Sequence, residues 1–325
     1  MFRCFSALAA LALACSLAPG PAAGDAPLPD PLTLGQALAL AGGHPRVQVA
    51  PERATRFPRR NPLYLDCHPL AFSSAAADPG RGSPATGLLD PTGAQALEIL
   101  ERYFDVLLAD LAFSRYDEAM AVAYIQYDRA KVRSELGQIS QLRVLELDAV
   151  YQDVLQNRAA AEIGQQLNRA LLAQALNRPE TLPRNLLAPA LAAIPDGLPG
   201  VEDLVAQGLA DNPAVKVLTE DGPEADRRLV ALELRQQVLE LLLRLRALGA
   251  TEREVRAESV YRDLKLDESR TLYEQEVTAD LGYSMSQQTM TRMQETRVAF
   301  CRALAWAELN ALTGRPVWPM TEPKP

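Results

Sequence analysis

The side chains best suited to chemistry are scarce in this chain, which holds two histidines, His44 and His68, and four cysteines. A structural or catalytic zinc site needs several thiolates or imidazoles at short, characteristic spacings. No C-x-x-C pair occurs and the histidines stand apart, so no metal is expected. No glycine-rich loop follows a strand-like run, which leaves nucleotide phosphates without a cradle. The many carboxylates fall within helical patterns, where a solvated face is their common use. No catalytic residue and no cofactor is therefore expected, and the reading is a binding component, not an enzyme. Two other pairs carry more specific chemistry. Cys67 and Cys301 can form a disulfide in an oxidising compartment, although two cysteines are not a disulfide framework. Gly137 and Gly282 each follow a leucine inside a long helical pattern, and glycine supplies the positive φ that a tight helix–helix turn often needs.

The elements that carry these residues are long helices. No proline occurs between Pro91 and Pro179. Leu97, Leu100, Phe104, Leu107 and Leu111 recur at spacings of three and four, the signature of one helical stripe. Val122, Ile125 and Val132 continue it; after Gly137 the same period resumes with Val144, Leu147, Tyr151 and Val154. Each arm is then about 55–65 Å long at 1.5 Å per residue. A connector rich in proline runs from Pro179 to Gly200. Leu204–Ala210 reads as a short helix ending at Asn212-Pro213. From Ala225 to Leu281 a second rod carries Leu234, Val238, Leu241, Leu245 and Leu248, with a kink possible at Gly249. Mixed charges crowd Glu252–Arg270, as on an exposed coiled-coil arm. The last helix bears Met293, Arg297, Phe300, Leu304, Ala307 and Ala311, and ends at Gly314 with Pro316 beyond. Phe300 and Trp306 read as core residues.

The expected fold is all-α: two long antiparallel helical hairpins in tandem, with turns at Gly137 and Gly282 and little or no β structure. The segments are 1–24, 25–91 (linker, a short helix from Leu32 to Ala41 and an irregular stretch), 92–180 (first hairpin), 181–200 (connector), 201–316 (second hairpin) and 317–325 (tail). Asn61–Cys67 could form one short strand. Residues 1–24 resemble an export signal: Arg3, an apolar run from Phe5 to Ala18, a Pro-Gly-Pro break and Ala22-Ala23-Gly24 before the expected cleavage. A lipid-modified Cys15 is the alternative. The net charge of -8 argues against nucleic acid, whose binding is driven by basic surfaces.

The order of these motifs, present twice, resembles the outer-membrane efflux (TolC-like) family. The short helices look like Leu34-Gly-Gln-Ala-Leu38 and the stop at Asp211-Asn-Pro-Ala-Val215. The descending helix looks like Glu101-Arg-Tyr-Phe-Asp-Val-Leu-Leu-Ala109. The tip looks like Leu136-Gly-Gln-Ile-Ser-Gln-Leu-Arg-Val-Leu145, with a weaker second copy from Leu281 to Thr289. The resemblance implies a trimeric, exported subunit of a tripartite efflux or secretion conduit at the outer membrane or its periplasmic face. It also implies docking of a periplasmic adaptor, in series with an inner-membrane pump, through tips formed by Gly137, Gln138, Ile139, Ser140, Gly282, Tyr283, Ser284 and Ser286. A plain αα-hairpin turn is the other reading of those residues, and a non-conducting periplasmic scaffold is the other reading of the whole. Two departures stand out. No stretch alternates over the 9–11 residues of a membrane strand, so a chain without a full barrel is expected. Arg143 and Gln288 stand where the family's tips carry an acid, which removes the basis for an acidic selectivity ring.

Overall fold

The computed structural model describes residues 27–50, 56, 59–72, 87–195, 197–220, 222–275 and 281–319. The signal-like segment, its cleavage site and Cys15 lie outside these. Among the described residues ten short and long elements follow one another: α1 (Leu34–Leu38), a 3₁₀ turn (Ala41–Gly43), α2 (Pro45–Gln48), α3 (His68–Phe72), α4 (Pro91–Glu135), α5 (Gln141–Ala175), α6 (Val201–Asp211), α7 (Pro213–Glu220), α8 (Glu224–Glu274) and α9 (Leu281–Leu312). No strand is present among the described residues; one parallel bridge joins Leu32 to Leu186. No helix there is long and apolar enough to cross a membrane.

The four long helices hold 45, 35, 51 and 32 residues. Asp90 starts α4 by accepting the Gly93 N–H, with Pro91 in the first turn, where its missing N–H costs nothing. Helix α8 runs unbroken through Gly249; no kink forms there. Helix α5 packs on α4, α4 on α9, and α9 on α8. The long helices thus lie side by side in the order α5, α4, α9, α8, as two antiparallel hairpins joined along α4 and α9.

The core lies where the two hairpins meet. Phe104 of α4 and Phe300 of α9 stack with ring centroids 4.2 Å apart. Leu97, Leu100, Leu234, Val238, Leu241, Leu245 and Leu248 are buried as their periodicity requires, while Trp306 packs half-buried at the margin. The stripe continued through Ile125 and Val132 is a correction: they are 47% and 50% exposed, because α4 has there run past the start of α9, level with Val122, and keeps only α5 beside it among the described helices. The tyrosine hydroxyl of Tyr103 sits 2.7 Å from the carbonyl oxygens of Leu32 and Leu187, which draws the N-terminal segment and the connector onto α4. Burial pushes the Tyr103 phenol up to about 12.

The tandem repeat is visible in its caps. Asn212 accepts the Ala214 N–H at 2.9 Å and donates to the Leu312 carbonyl at 3.0 Å, where α9 ends. His44 does the same work in the first half: Nδ1 accepts the Arg46 N–H at 3.1 Å, and Nε2 lies 3.2 Å from the Gln174 carbonyl near the end of α5. Both ascending helices close with a left-handed residue, Asn177 at φ 56° and Gly314 at φ 74°.

The expected strand at Asn61–Cys67 is a second correction. Asp105, fully buried on α4, accepts the N–H groups of Leu63, Tyr64 and Leu65 at 2.7, 2.7 and 2.8 Å. A single carboxylate therefore satisfies the donors that a strand ladder would have used. Cys67 and Cys301 form a disulfide, with Cα atoms 5.5 Å apart.

Candidate functional site

The first hairpin turn is built by glycine. Leu136 caps α4, and Gly137 takes φ +72°. The Gly137 N–H reaches the Ser134 carbonyl at 2.9 Å and the Gln138 N–H reaches Arg133 at 2.9 Å. This paired arrangement closes a helix end on a left-handed residue. Three residues later the Ser140 hydroxyl accepts the Arg143 N–H at 3.3 Å and starts α5. Gly137, Gln138 and Ser140 are exposed and Ile139 is half-buried, so the structure brings these four together on one rim. Arg143 pairs with Glu146 at 2.9 Å, both side chains more than half exposed; such a pair is worth little in water. The rim is more apolar than its sequence motif suggests. Leu136 and Leu142 are each 67% exposed and Leu145 is 56% exposed. Sequence reasoning missed these three. The available signal was their position off the stripe that Val144 shares with the core.

The second turn is a correction. Helix α8 ends at Glu274 and α9 begins at Leu281, so Gly282 lies in the first turn of a helix and not in the loop. The glycine serves close approach instead: a Cβ there would collide with both methyl carbons of Val122 on α4. Ser284 is also not on a rim. It is buried and shares a 2.7 Å hydrogen bond with Ser269 of α8. Tyr283 is 57% exposed and Ser286 is half-buried. Of the four residues expected at this tip, only Tyr283 is largely solvent-facing. Leucine-glycine pairs thus do two different jobs in the two halves, and local sequence cannot separate them. The described ends of α4 and α8 also differ in reach. Val122 lies level with Gly282, and α4 continues to Glu135, which carries the first tip about 15 Å beyond the end of α8.

The two outer helices of the row carry the larger exposed feature. On α5, Leu142, Leu145, Ala149, Gln156, Ile163 and Ala170 follow alternating spacings of three and four or their multiples, and all are exposed. No charged residue interrupts that heptad row from Leu142 to Ala170. On α8, Leu229, Gln236, Leu243, Ala250, Ala257 and Leu264 form a second exposed row at seven-residue spacing, flanked by Leu232, Arg246 and Arg253, with Leu229 and Leu264 each 66% exposed. A seven-residue repeat on a helix face is the pattern of a left-handed supercoil seam, here apolar except for Gln156 on α5 and Gln236 on α8. Among the described residues nothing covers either seam, and they lie at opposite edges of the layer.

No family model and no curated protein sequence matches the chain. Solved structures do. A structure of CusC, from work on the conformational changes accompanying its folding and transmembrane channel formation, superposes with a TM-score of 0.55. It is 12% identical, and the match covers 86% of this chain and 96% of that one. A membrane protein from Pseudomonas aeruginosa gives a TM-score of 0.44 at 15% identity, covering 87% and 90%. The open state of the MtrE outer-membrane channel of Neisseria gonorrhoeae gives 0.41 at 12% identity, covering 87% and 89%. The chain therefore has the long-hairpin fold of CusC, an all-α version of it as far as the described residues go.

Proposed function

We propose that this chain is a non-catalytic subunit of a ring-shaped conduit in the cell envelope, matured at Asp25 and working at the outer membrane or its periplasmic face. The observation that carries the reading is the pair of uncovered seams on α5 and α8. They are different surfaces at opposite edges of one layer. Pairing α5 of one copy with α8 of the next is therefore a heterologous contact, and such contacts generate rings when the rotation closes. The cross-helix pairs Arg158–Asp117, Phe104–Phe300 and Arg292–Asp263 put Gln156–Ala170 of the α5 row level with Ala257–Leu264 of the α8 row, a facing length of about 17 Å. Likeness in fold to CusC supports a conduit over a filament.

In this reading the Leu136–Ser140 rim docks a periplasmic adaptor, which links the ring to an inner-membrane pump. The exposed Leu136, Leu142 and Leu145 supply the apolar anchors that an interface centre uses. The reading is tested by placing a photo-crosslinking residue at Ile163 and mapping adducts by mass spectrometry. Adducts on α8 between Ala257 and Leu264 of a second copy are expected, in particles of three subunits. A monomer at high concentration refutes the ring. A stable ring that co-purifies with no adaptor, even with the Leu136–Ser140 rim intact, supports the periplasmic scaffold instead.

A further inference from the structure

Residues 59–72 cross the layer from α4 to α8, touching all four long helices. At its start Arg59 pairs with Glu98 of α4 at 2.8 Å. Arg102 of α4 donates to the carbonyls of Arg60 and Asn61, and Asp105 holds the next three N–H groups. Tyr64 reaches α5, where a Cβ on Gly164 would collide with its hydroxyl. Arg297 of α9 donates to the Asp66 carbonyl, and Cys67 is bonded to Cys301 of the same helix. At the far edge Thr251 of α8 donates to the Leu70 carbonyl at 3.1 Å. The segment has no backbone hydrogen bonds of its own between Arg59 and Asp66 among those described; side chains of the helices supply its partners. It is a belt whose conformation exists only when all four helices lie side by side.

We propose that this belt is a maturation latch: closure of the Cys67–Cys301 bond fixes the two hairpins as one layer, and ring formation waits for it. The second half of that statement rests on the ring reading above; the first does not. Both half-cystines are buried, at 2% and 1% exposure. A thiol reagent therefore reaches the closed bond only when the belt lifts, which makes the latch act once and not as a reversible switch. The chemistry is thiol–disulfide exchange with an oxidised dithiol protein or, in vitro, oxidised glutathione. One cysteine thiolate attacks the donor's disulfide and breaks its S–S bond, giving a mixed disulfide and one donor thiolate. The second cysteine thiolate then displaces the other donor sulfur. The chain loses two protons and two electrons in forming its bond, and the donor leaves as the reduced thiol pair.

The test refolds the mature chain with oxidised glutathione or with dithiothreitol, beside a Cys67→Ser/Cys301→Ser variant. Amide exchange is followed at Leu63, Tyr64 and Leu65, whose N–H groups report the belt directly. In both unlatched forms these amides are expected to exchange about tenfold faster or more, with helix content retained. Interchain adducts from Ile163 are expected to fall in the same samples. Native oxidised protein should resist dithiothreitol until mild urea is added. Equal amide protection in latched and unlatched chains overturns the proposal. So does general loss of helix in both unlatched forms, since the bond is then a staple of the whole fold. If the oxidised chain gives no interchain adducts at all, the ring reading fails, while the amide comparison still decides the latch.

Discussion

Asp105→Asn isolates the contact on which the belt depends. In the wild type Oδ1 accepts from Tyr64 and Leu65 and Oδ2 from Leu63. Asparagine keeps one carbonyl oxygen, which can serve Tyr64 and Leu65. Its amide nitrogen then faces the Leu63 N–H, donor against donor, in a site with no exposure. An orphaned buried donor costs about 1–3 kcal/mol, and the two retained bonds lose the strengthening of a charged acceptor. Relief from burying a carboxylate offsets part of this. The net expectation is a loss of about 2 kcal/mol, a fall of roughly 4–6 °C in a thermal melt followed by circular dichroism. Asp110→Asn is the control: its ion pair with Arg169 is partly solvated, so a change below about 1 kcal/mol is expected. The pH dependence gives a sign. Burial pushes the Asp105 carboxyl up, against the downward pull of the three N–H donors. A carboxyl whose folded value lies above its unfolded one contributes stability that is present below the unfolded value and is lost as pH rises through the folded one. The gap between wild type and Asp105→Asn should therefore be wider at about pH 4 than at about pH 7. A gap under about 0.5 kcal/mol, or one that narrows in acid, refutes the reasoning.

Three further outcomes are expected. Burial pushes the His44 imidazole down, and its Nδ1 must stay unprotonated to accept the Arg46 N–H; stability is thus present above the unfolded value of about 6.5 and lost as pH falls through the folded one. Urea midpoints should drop between about pH 7.5 and 5, and His44→Asn, which copies the Asn212 cap, should remove most of that slope. Gly137→Ala should cost about 1 kcal/mol or more because it forces a side chain into the left-handed region, whereas Gly249→Ala, with open space around it in α8, should gain about 0.5–1 kcal/mol; opposite shifts in chemical denaturation check the pair. Gly282→Ala should cost about 1–3 kcal/mol by pressing on the short, stiff Val122 side chain, and Val122→Ala should recover much of it in a double-mutant cycle.

Much of the architecture was legible before any coordinates. Unbroken three-and-four periodicity without proline fixes long helices, and a leucine stripe such as Leu234–Leu248 fixes their buried face. The Gly137 turn was legible for a local reason: the end of α4, a left-handed glycine and the Ser140 cap all lie within eight residues. The Gly282 turn was misplaced because glycine answers two needs, positive φ and close packing. Only the neighbour, Val122, tells which need applies.

Local chemistry by itself determined the helices, their caps at Asp90, Ser140 and Asn212, and the absence of any regular strand pattern. Each depends on side chains within a turn or two, so the chain's own order is enough to specify it. Tertiary structure decided what depends on residues far apart. Asp105 captured a segment 40 residues earlier in the chain, so Asn61–Cys67 became a belt instead of a strand. Cys67 met Cys301 across 234 residues. The seams on α5 and α8 became edges only because α4 and α9 packed between them. A heptad row reads the same in sequence whether its partner is a neighbour in the chain or another molecule, and only packing reveals which rows remain uncovered.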